Sequence, residues 1–331
     1  MWKGWCTETP CITPDALRMR PKPMTEYLLR RLLLVPVTLL GVLTIVFIAL
    51  RLSGDPASLF VGQDATVEEI NSVREKLGFN DPIIVQYVRF LGDAVQLDFG
   101  KSLRYGEPAF QLLVRRWPAT LELASFSLLI SLLVGIPLGT ISALNRGTVL
   151  DTVSSILALI GQAAPVFWIA MMLILVFSIN LRMFPASGMG TFRHLILPGF
   201  SLGAFFAARV ARITRTAVLD TAGQAYVRTA RAKGLHERQI LLIHISRNAA
   251  IPVITILGLS IPSLIGGAVM TEAIFAWPGV AGFIVTAVNN RDYPVVQAGV
   301  FVIAIMVSAT NLLVDLLYTY IDPRIKFGSD S

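Results

Sequence analysis

The His, Cys and acidic residues of this 331-residue chain form no recognisable catalytic or metal-binding pattern. There are 3 His, and His236-Glu237 lacks the second His of a zinc-protease motif, because Ile240 occupies that position. No G-x-x-x-x-G-K-[ST] segment occurs, so the chain carries no phosphate-binding loop of its own. Cys6 and Cys11 form a C-x4-C pair without nearby ligands, which favours free tail thiols over a metal site. We therefore predict neither an enzyme nor a metal centre.

Charged residues at membrane depth would indicate ion coupling or voltage sensing. Only Glu122 and Asp315 are candidate carboxylates, and their spacing forms no relay, so an ion-coupled secondary transporter stays an alternative. Arg209, Arg212 and Arg215 recur every third residue but run directly into a basic segment. We interpret this row as anchors at the membrane surface.

The composition is that of a polytopic, all-α integral membrane protein. Apolar residues make up 54% of the chain, charged residues 15%, and the mean hydropathy is +0.68. Because topology explains where the basic residues fall, the net charge of +7 does not indicate a nucleic-acid partner. The partner expected from composition is the lipid bilayer.

Six apolar runs are long enough to cross a bilayer. The first, Leu32–Leu50, has nineteen residues without a charge, about 28 Å as a helix. The others are Leu121–Leu144, Val153–Ile179, Leu195–Leu219, Ile251–Met270 and Val295–Tyr318. The ten-residue run Gly279–Val288 is too short to span, so we predict a re-entrant or surface helix there.

The distribution of Lys and Arg predicts the orientation. Segments on the side of the termini hold 17 Lys/Arg, whereas the short loops on the opposite side hold 3. By the positive-inside rule, both termini are expected in the cytoplasm of a cell with an inner (plasma) membrane.

A hydrophilic insert, residues 51–119, separates the first two spans and is expected outside the cytoplasm. Thr66-Val67-Glu68-Glu69 is a capping box, and Gly78 could end the helix that it starts. Asp81-Pro82 begins another helix, whose apolar stripe we expect to pack on the insert's own core rather than to bind a ligand. That stripe contains Ile84, Tyr87, Val88, Leu91 and Val95.

The remaining segments follow from these boundaries. Residues 1–23 are expected to be a disordered tail, or to precede the natural start at Met24; residues 24–50 hold the cytoplasmic start and the first span. Residues 120–320 are expected to form the membrane core, with a cytoplasmic segment at 220–250, and residues 321–331 to form a cytoplasmic tail. Gly135-x3-Gly139 and Gly199-x3-Gly203 predict close helix contacts, which we assign to packing within one chain over a subunit interface. Pro137, Pro165, Pro198 and Pro262 are expected to be tolerated as kinks.

The segment Ala225–Pro252, called the elbow below, is basic and does not span the membrane. It carries five Lys/Arg and one acid, Glu237. A helix is predicted to end at Gly234 in the left-handed conformation, with Leu235 packing on Ala230, and a second helical run follows before Pro252. We expect a helix–Gly–helix elbow that another protein grips.

The elbow resembles the inner-membrane permease subunits of bacterial ABC importers of the dipeptide/oligopeptide/nickel type. The family hallmark is E-A-A-x3-G-x9-I-x-L-P; Ala230 and Gly234 match it, whereas Arg228 replaces the Glu. His244, Ser246 and Arg247 also depart from it, as in the peptide-transporter branch with Y-V-R-T-A-R-A-K-G-L and R-N-A-x-x-P-V. Further matches are Leu52–Pro56, Phe99–Ser102, Phe275–Gly279, Asn311–Asp315 and Asp322–Arg324, so that the resemblance covers residues 24–328.

The resemblance implies a type I importer fold and an assembly of two permeases, two ATP-binding subunits and an extracytoplasmic solute-binding protein. The second permease would be a different but related chain, and ATP and Mg would be bound by the ATPase subunits, so that this chain holds no cofactor. The ATPase-coupling residues would be Arg228, Thr229, Ala230, Arg231, Ala232, Lys233, Gly234, Leu235, Arg247 and Asn248. Candidate residues for docking the binding protein are Asp55, Pro56, Asp81, Pro82, Trp277 and Pro278.

The solute is not fixed by the sequence. A peptide-like solute is expected from the resemblance, and dipeptides, oligopeptides, glutathione, nickel chelates, opines and sugars remain open. A purely structural membrane anchor is the other alternative.

Overall fold

In the computed structural model, the described residues are 24–52, 57, 61, 66–76 and 80–321, with the backbone alone described at 24–30, 50, 76 and 317–321. The predicted tail 1–23, Gly78 and the last ten residues lie outside these ranges. Helices dominate the described part, where the one isolated β-bridge joins Lys101 and Pro108. The predicted all-α fold is therefore confirmed.

The helices are numbered here in chain order. They are α1 (Met24–Leu52), α2 (Val67–Lys76), α3 (Ile83–Val95), α4 (Ala109–Val114), α5 (Trp117–Leu144), α6 (Val149–Ala163), α7 (Val166–Leu173, continued by a π-helical turn Ile174–Asn180), α8 (Phe192–Ala222), α9 (Ala225–Ala232), α10 (Glu237–Gln239, continued by a π-helical turn Ile240–Ile245), α11 (Ser246–Ile274), α12 (Val280–Asn289) and α13 (Tyr293–Ile321).

Within the described residues, five helical stretches are long and apolar enough to cross a membrane. A sixth crossing exists only if α6 and α7 count together, because they meet at an angle of 106° instead of forming one straight span. The break lies at Ala164, whose extended backbone (φ −72°, ψ 130°) precedes Pro165. Proline disfavours the helical conformation of the residue before it. The expected bend at Pro165 is therefore present, as a sharp break between two helices.

Glycines bring α5 and α8 into close contact inside the bundle. A Cβ on Gly135 would lie 2.7 Å from the carbonyl oxygen of Ala207, and one on Gly203 would lie 2.9 Å from that of Ser127. The glycines of each helix thus face the backbone of the other, which only a hydrogen side chain allows. The predicted use of both G-x3-G motifs within one chain is confirmed.

The described residues of the insert do not form a core of their own. Ala94, Phe99 and Leu113 belong to the same buried cluster as residues of α5, α8, α11 and α13. The predicted capping box is present, with the Thr66 amide donating to Glu69 Oε2 at 2.8 Å and the Glu69 amide donating to Thr66 Oγ1 at 3.3 Å. The start and end of the insert therefore pack differently. The α2 helix is capped by its own residues, whereas the later segments of the insert pack in the common core of the bundle.

The apolar stripe of α3 contradicts the expectation that it packs on an insert core. Ile84, Val88 and Val95 are 76%, 63% and 84% exposed, whereas Tyr87 is half-buried and Leu91 packs against the common cluster. The stripe divides because α3 buries its Gln86–Ala94 side, and not its Ile84–Val95 side, against the rest of the protein.

Candidate coupling and docking sites

The predicted helix end at Gly234 is present in full. Gly234 has φ +76°, a backbone conformation that favours glycine. The Leu235 amide donates to the Ala230 carbonyl at 3.3 Å and the Gly234 amide donates to the Arg231 carbonyl at 2.9 Å. These two bonds define a Schellman motif, which satisfies carbonyls at the end of α9 and turns the chain sharply.

The second arm of the elbow is the beginning of a membrane span. The α10 helix, its π-helical turn and α11 form one apolar stretch, Glu237–Ile274, which continues through Pro252. The predicted second helical run is present, and it continues without a break into the span that follows. A displacement of the elbow is consequently also a displacement of the α11 span.

A small apolar core holds the two arms together. Val227 and Ala230 of α9 pack with Ile240, Ile245 and Ala249 of the second arm; the same cluster includes Ala143, Ala217 and Val218 from the ends of α5 and α8. Hydrogen bonds support this core. The Asn248 side-chain amide donates to the Tyr226 hydroxyl at 2.6 Å, and that hydroxyl donates to the His244 carbonyl at 3.3 Å. The elbow is thus fixed to three long helices.

The predicted coupling residues fall into an inner and an outer group. Ala230 is only 6% exposed, so it packs inside the elbow and offers little surface to a partner protein. The outer, exposed group is Arg228, Thr229, Arg231, Ala232, Lys233, Gly234, Leu235, Arg247 and Asn248.

The exposed cations of the elbow differ in their pairing. Arg231 forms an ion pair with Glu237 at 2.7 Å, and this pairing raises the pKa of the Arg231 guanidinium. Within the described residues, Arg228, Lys233, Arg238 and Arg247 have no carboxylate partner. The four unpaired cations are the ones available to an acidic surface on another protein.

Sequence reasoning missed an exposed apolar pair on the elbow. Leu242 and Ile243 are each 61% exposed on the π-helical turn, while Ile240 and Ile245 on either side of them are buried. A run of apolar residues does not say which of its members face inward, and the π-helical turn changes the helical register at this point.

A buried polar network lies between α5, α6 and α8 at the elbow end of the bundle. Arg215 donates to both carboxylate oxygens of Asp151, through Nε at 2.9 Å and Nη2 at 3.0 Å. The Ser142 hydroxyl and the Gly147 amide donate to the same carboxylate at 2.6 and 3.0 Å. Arg215 is therefore a structural partner of Asp151, a role that the simple anchor interpretation did not include.

The other end of the bundle, where the insert lies, contains a second buried carboxylate. Glu272 is 1% exposed, and it accepts from the Thr120 hydroxyl at 2.7 Å and from the Gly282 amide at 2.8 Å. Thr120 Oγ1 in turn accepts from the Val280 amide at 2.9 Å. A side chain at Gly279 would collide with the Glu272 carboxylate. The acid thus caps the N-terminus of α12 and ties it to α5.

The predicted docking residues are only partly available. Trp277 is 3% exposed, and its indole N–H donates to the Ala119 carbonyl at 2.8 Å, so it offers almost no surface to a docking protein. Pro278 and Pro82 are exposed, and Asp81 forms an ion pair with Arg89 at 2.7 Å. Asp55 and Pro56 lie outside the described residues.

Two observations bear on the ion-coupled alternative. Asp315 lies 3.1 Å from the Arg31 guanidinium, which neutralises it, and Glu122 is exposed. The described part of the chain also contains no group of three or more His, Cys, Asp or Glu that could hold a metal ion.

Comparison with known proteins decides the family. The family described as "Binding-protein-dependent transport system inner membrane component" matches residues 135–327, and the family of the corresponding N-terminal membrane component matches residues 24–124. The chain belongs to this permease family. It is the membrane-spanning subunit of an ABC importer, and the ATPase of such an importer is a separate subunit.

The relatives of the permease are similar over nearly its whole length. It is 41% identical to "Oligopeptide transport system permease protein AppB" of Bacillus subtilis, covering 92% of this chain and 100% of the relative. It is 36% identical to "Dipeptide transport system permease protein DppB" of Escherichia coli K12, covering 92% and 99%.

Solved structures confirm the fold. A structure of the MetNI methionine ABC transporter matches with a TM-score of 0.54 at 20% identity, covering 64% of the permease and 97% of that chain. A structure of an amino acid ABC transporter matches with a TM-score of 0.50 at 16% identity, covering 63% and 94%. The predicted type I importer architecture is confirmed.

Proposed function

We propose that the permease moves a peptide-like solute from an extracytoplasmic binding protein into the cytoplasm, and that the elbow is its connection to the ATPase. The substrate class is supported by relatives named for oligopeptide and dipeptide transport. The observation that carries the coupling role is the fixed elbow: a Schellman-terminated helix joined directly to the α11 span, with unpaired cations on its outer face.

The orientation follows from the charge distribution. The elbow end lies in the cytoplasm with both termini, and the insert end faces the binding protein, since 17 Lys/Arg lie on the first side against 3 in the short loops of the second. Two ATP-binding subunits hold ATP and Mg, and a homologous second permease completes the pore as a heterodimer. These partners are those expected of a permease of this family.

The elbow surface has the chemistry that a stable docking site needs. Leu242 and Ile243 supply an apolar centre, and Arg228 and Lys233 supply cations that can form charge-assisted hydrogen bonds with acidic residues on the ATPase. Such a contact would bury on the order of 800 Å² on each partner.

Coupling then proceeds as a rigid-body movement. When the ATPase pair closes on ATP, the elbow moves with it, and the shared apolar core carries the motion into α5, α8 and α11. The α11 helix passes this movement directly to the pore because no loop separates it from the elbow.

Charge reversal tests the elbow as the ATPase contact. We expect Arg228→Glu to reduce the amount of ATPase subunit that co-purifies with the permease, because the repelled acidic surface no longer docks. The matched control is Arg146→Glu, an exposed cation in the α5–α6 loop at the same end of the bundle. Equal ATPase recovery with both variants would contradict the assignment.

The substrate class is tested separately by uptake of a labelled dipeptide and a labelled pentapeptide into proteoliposomes that contain the whole transporter and its binding protein. Uptake that neither unlabelled peptide competes with, but that a sugar or a nickel chelate abolishes, would contradict the peptide assignment and leave the elbow proposal intact.

A further inference from the structure

We infer that α3 of the insert lies in the boundary layer of the bilayer, with Ile84, Val88 and Val95 inserted among the lipid acyl chains. This inference does not depend on the proposed substrate or on the ATPase contact. Two observations support it. The α3 helix has three chemically different faces, and the face that contacts α1 does so near the end of the apolar span of α1.

The first face of α3 holds it to α1. The Tyr87 hydroxyl lies 2.6 Å from Thr44 Oγ1 in a hydrogen bond, and the Phe47 ring lies 5.1 Å from that of Tyr87 and 5.6 Å from that of Phe90. Ala94, two turns beyond Tyr87, is 1% exposed on the same side. This contact fixes the height of α3 beside the first span.

The second face is apolar and exposed in the described part of the chain. Ile84, Val88 and Val95 are four and seven residues apart, the spacing that places side chains in one row along a helix. Their exposed fractions of 76%, 63% and 84% are far above those of the half-buried Tyr87 and Leu91. The row, called the α3 strip below, therefore presents exposed apolar side chains near both ends of α3, with the half-buried Leu91 between Val88 and Val95.

The third face is polar. Asp93 is exposed, and Arg89 forms an ion pair with Asp81 just before the helix begins. A helix with one face on protein, one apolar face and one charged face matches the boundary between hydrocarbon and water, where each face meets the surroundings that suit it.

The depth of the α1 contact agrees with that boundary. Thr44 and Phe47 lie within the apolar span Arg31–Ala49, five and two residues before its end. At 1.5 Å per residue they are about 7.5 and 3 Å inside the span. Interfacial helices bury their apolar face about 5–10 Å into the region where headgroups meet acyl chains.

The neighbouring surface of α1 indicates lipid as the occupant of this face. Ile45 and Ile48 of α1, which alternate with Thr44 and Phe47, are 68% and 50% exposed. The α3 strip is thus at the level of an apolar surface that already belongs to a membrane-spanning helix. The chemistry it would contact is that of uncharged acyl chains, with the polar edge of α3 at the headgroups.

The consequence for the insert is a fixed position on the membrane surface. With α3 embedded, the polar face and the Asp81–Pro82 turn are left toward the aqueous side, while the segment after α3 enters the core of the bundle. The insert then acts as a membrane-supported platform and not as a free-standing domain.

Site-directed spin labelling measures this placement. A nitroxide is attached at Val88→Cys in a chain carrying Cys6→Ser and Cys11→Ser, and the assembled transporter is placed in phosphatidylcholine nanodiscs. Asp93→Cys, on the polar face of the same helix, is the matched control, and Val95→Cys repeats the apolar position. The serine-substituted chain without a new cysteine gives the background from partner subunits.

We expect collisions of the Val88 and Val95 labels with oxygen to exceed those with a water-soluble nickel chelate, and the Asp93 label to show the reverse. Equal access of the nickel chelate to all three labels would place the strip in water and overturn the inference. Protection of the Val88 and Val95 labels from both reagents would mean that a protein surface covers the strip, and would overturn it as well.

Discussion

Arg215 forms a two-pronged ion pair with Asp151, with Nε and Nη2 2.9 and 3.0 Å from the two carboxylate oxygens. The pair joins α8 to the beginning of α6, and Ser142 adds the end of α5. It lies beside the elbow, because Ala217 and Val218 of the elbow core follow Arg215 by less than one helical turn. Two of the helices that would receive the movement of the ATPase, α5 and α8, are thus joined to each other and to α6 beside the elbow.

Removing the cation of this pair should destabilise the bundle. We expect Arg215→Ala to lower the free energy of unfolding, since the Asp151 carboxylate is left without its main partner. Thermal unfolding of the detergent-solubilised permease measures the loss. Arg212→Ala, an exposed cation of the same helix, is the control and should have little effect.

The double variant Asp151→Asn with Arg215→Gln separates pairing from packing. It should lose less stability than the two single variants added together, because neither charge is left uncompensated. Strict additivity of the two single effects would contradict an energetic coupling between these side chains.

Because Glu272 caps α12 beside Gly279, we expect that a side chain at position 279 is not tolerated. Gly279→Ala should cost about 1–3 kcal/mol of stability, because the added Cβ meets the Glu272 carboxylate and must displace it from the start of α12. Gly266→Ala, in the same helix as Glu272 and with no atom within 4 Å of the new Cβ, is the matched control. If the Gly279→Ala protein is as stable as the Gly266→Ala protein, the Glu272 carboxylate moves away at no cost and the prediction is wrong.

Substitutions of Gly234 in the elbow should uncouple ATP hydrolysis from solute uptake. Gly234→Val and Gly234→Pro cannot adopt φ +76° without strain, so the Schellman turn should distort and uptake should fall relative to ATP hydrolysis, while membrane insertion stays normal. Gly234→Asn should retain more coupling, since Asn tolerates this conformation. The ratio of solute imported to ATP hydrolysed in proteoliposomes measures the effect.

A control must separate the effect of backbone strain at a positive φ from the effect of distorting the elbow. Gly188 has φ +88° with open space around it, at the insert end. Gly188→Val should therefore carry a similar backbone strain but keep the normal ratio of transport to hydrolysis. If Gly188→Val and Gly234→Val uncouple equally, the special role of the elbow is lost.

Local signals predicted the parts of this structure that depend on neighbouring residues. The Ala230–Gly234 spacing predicted the Schellman turn, Thr66 and Glu69 predicted the capping box, and the G-x3-G motifs predicted the α5–α8 contact, because each has its physical cause within a few residues or in one small side chain. The buried pairs were missed for the opposite reason. Asp151 and Arg215 are 64 residues apart, and the residues around each of them give no indication of its partner.

The effect of each proline on its helix could not be predicted from the local sequence either. Pro137, Pro198, Pro252 and Pro262 lie inside continuous helices, whereas the chain bends by 106° at Pro165. Their local sequences are similarly apolar, so the choice between a tolerated proline and a break depends on how the flanking helices pack. The burial of Glu272 was likewise invisible, since its partners come from α5 and α12.

The most direct measurement of the central claim is solute uptake into proteoliposomes that contain the two permeases with, and without, the ATPase subunits, in the presence of the binding protein. We predict uptake against a gradient only when the ATPase subunits and Mg-ATP are both present, unchanged by a protonophore. Uphill uptake by the permeases alone, abolished by the protonophore, would contradict the account.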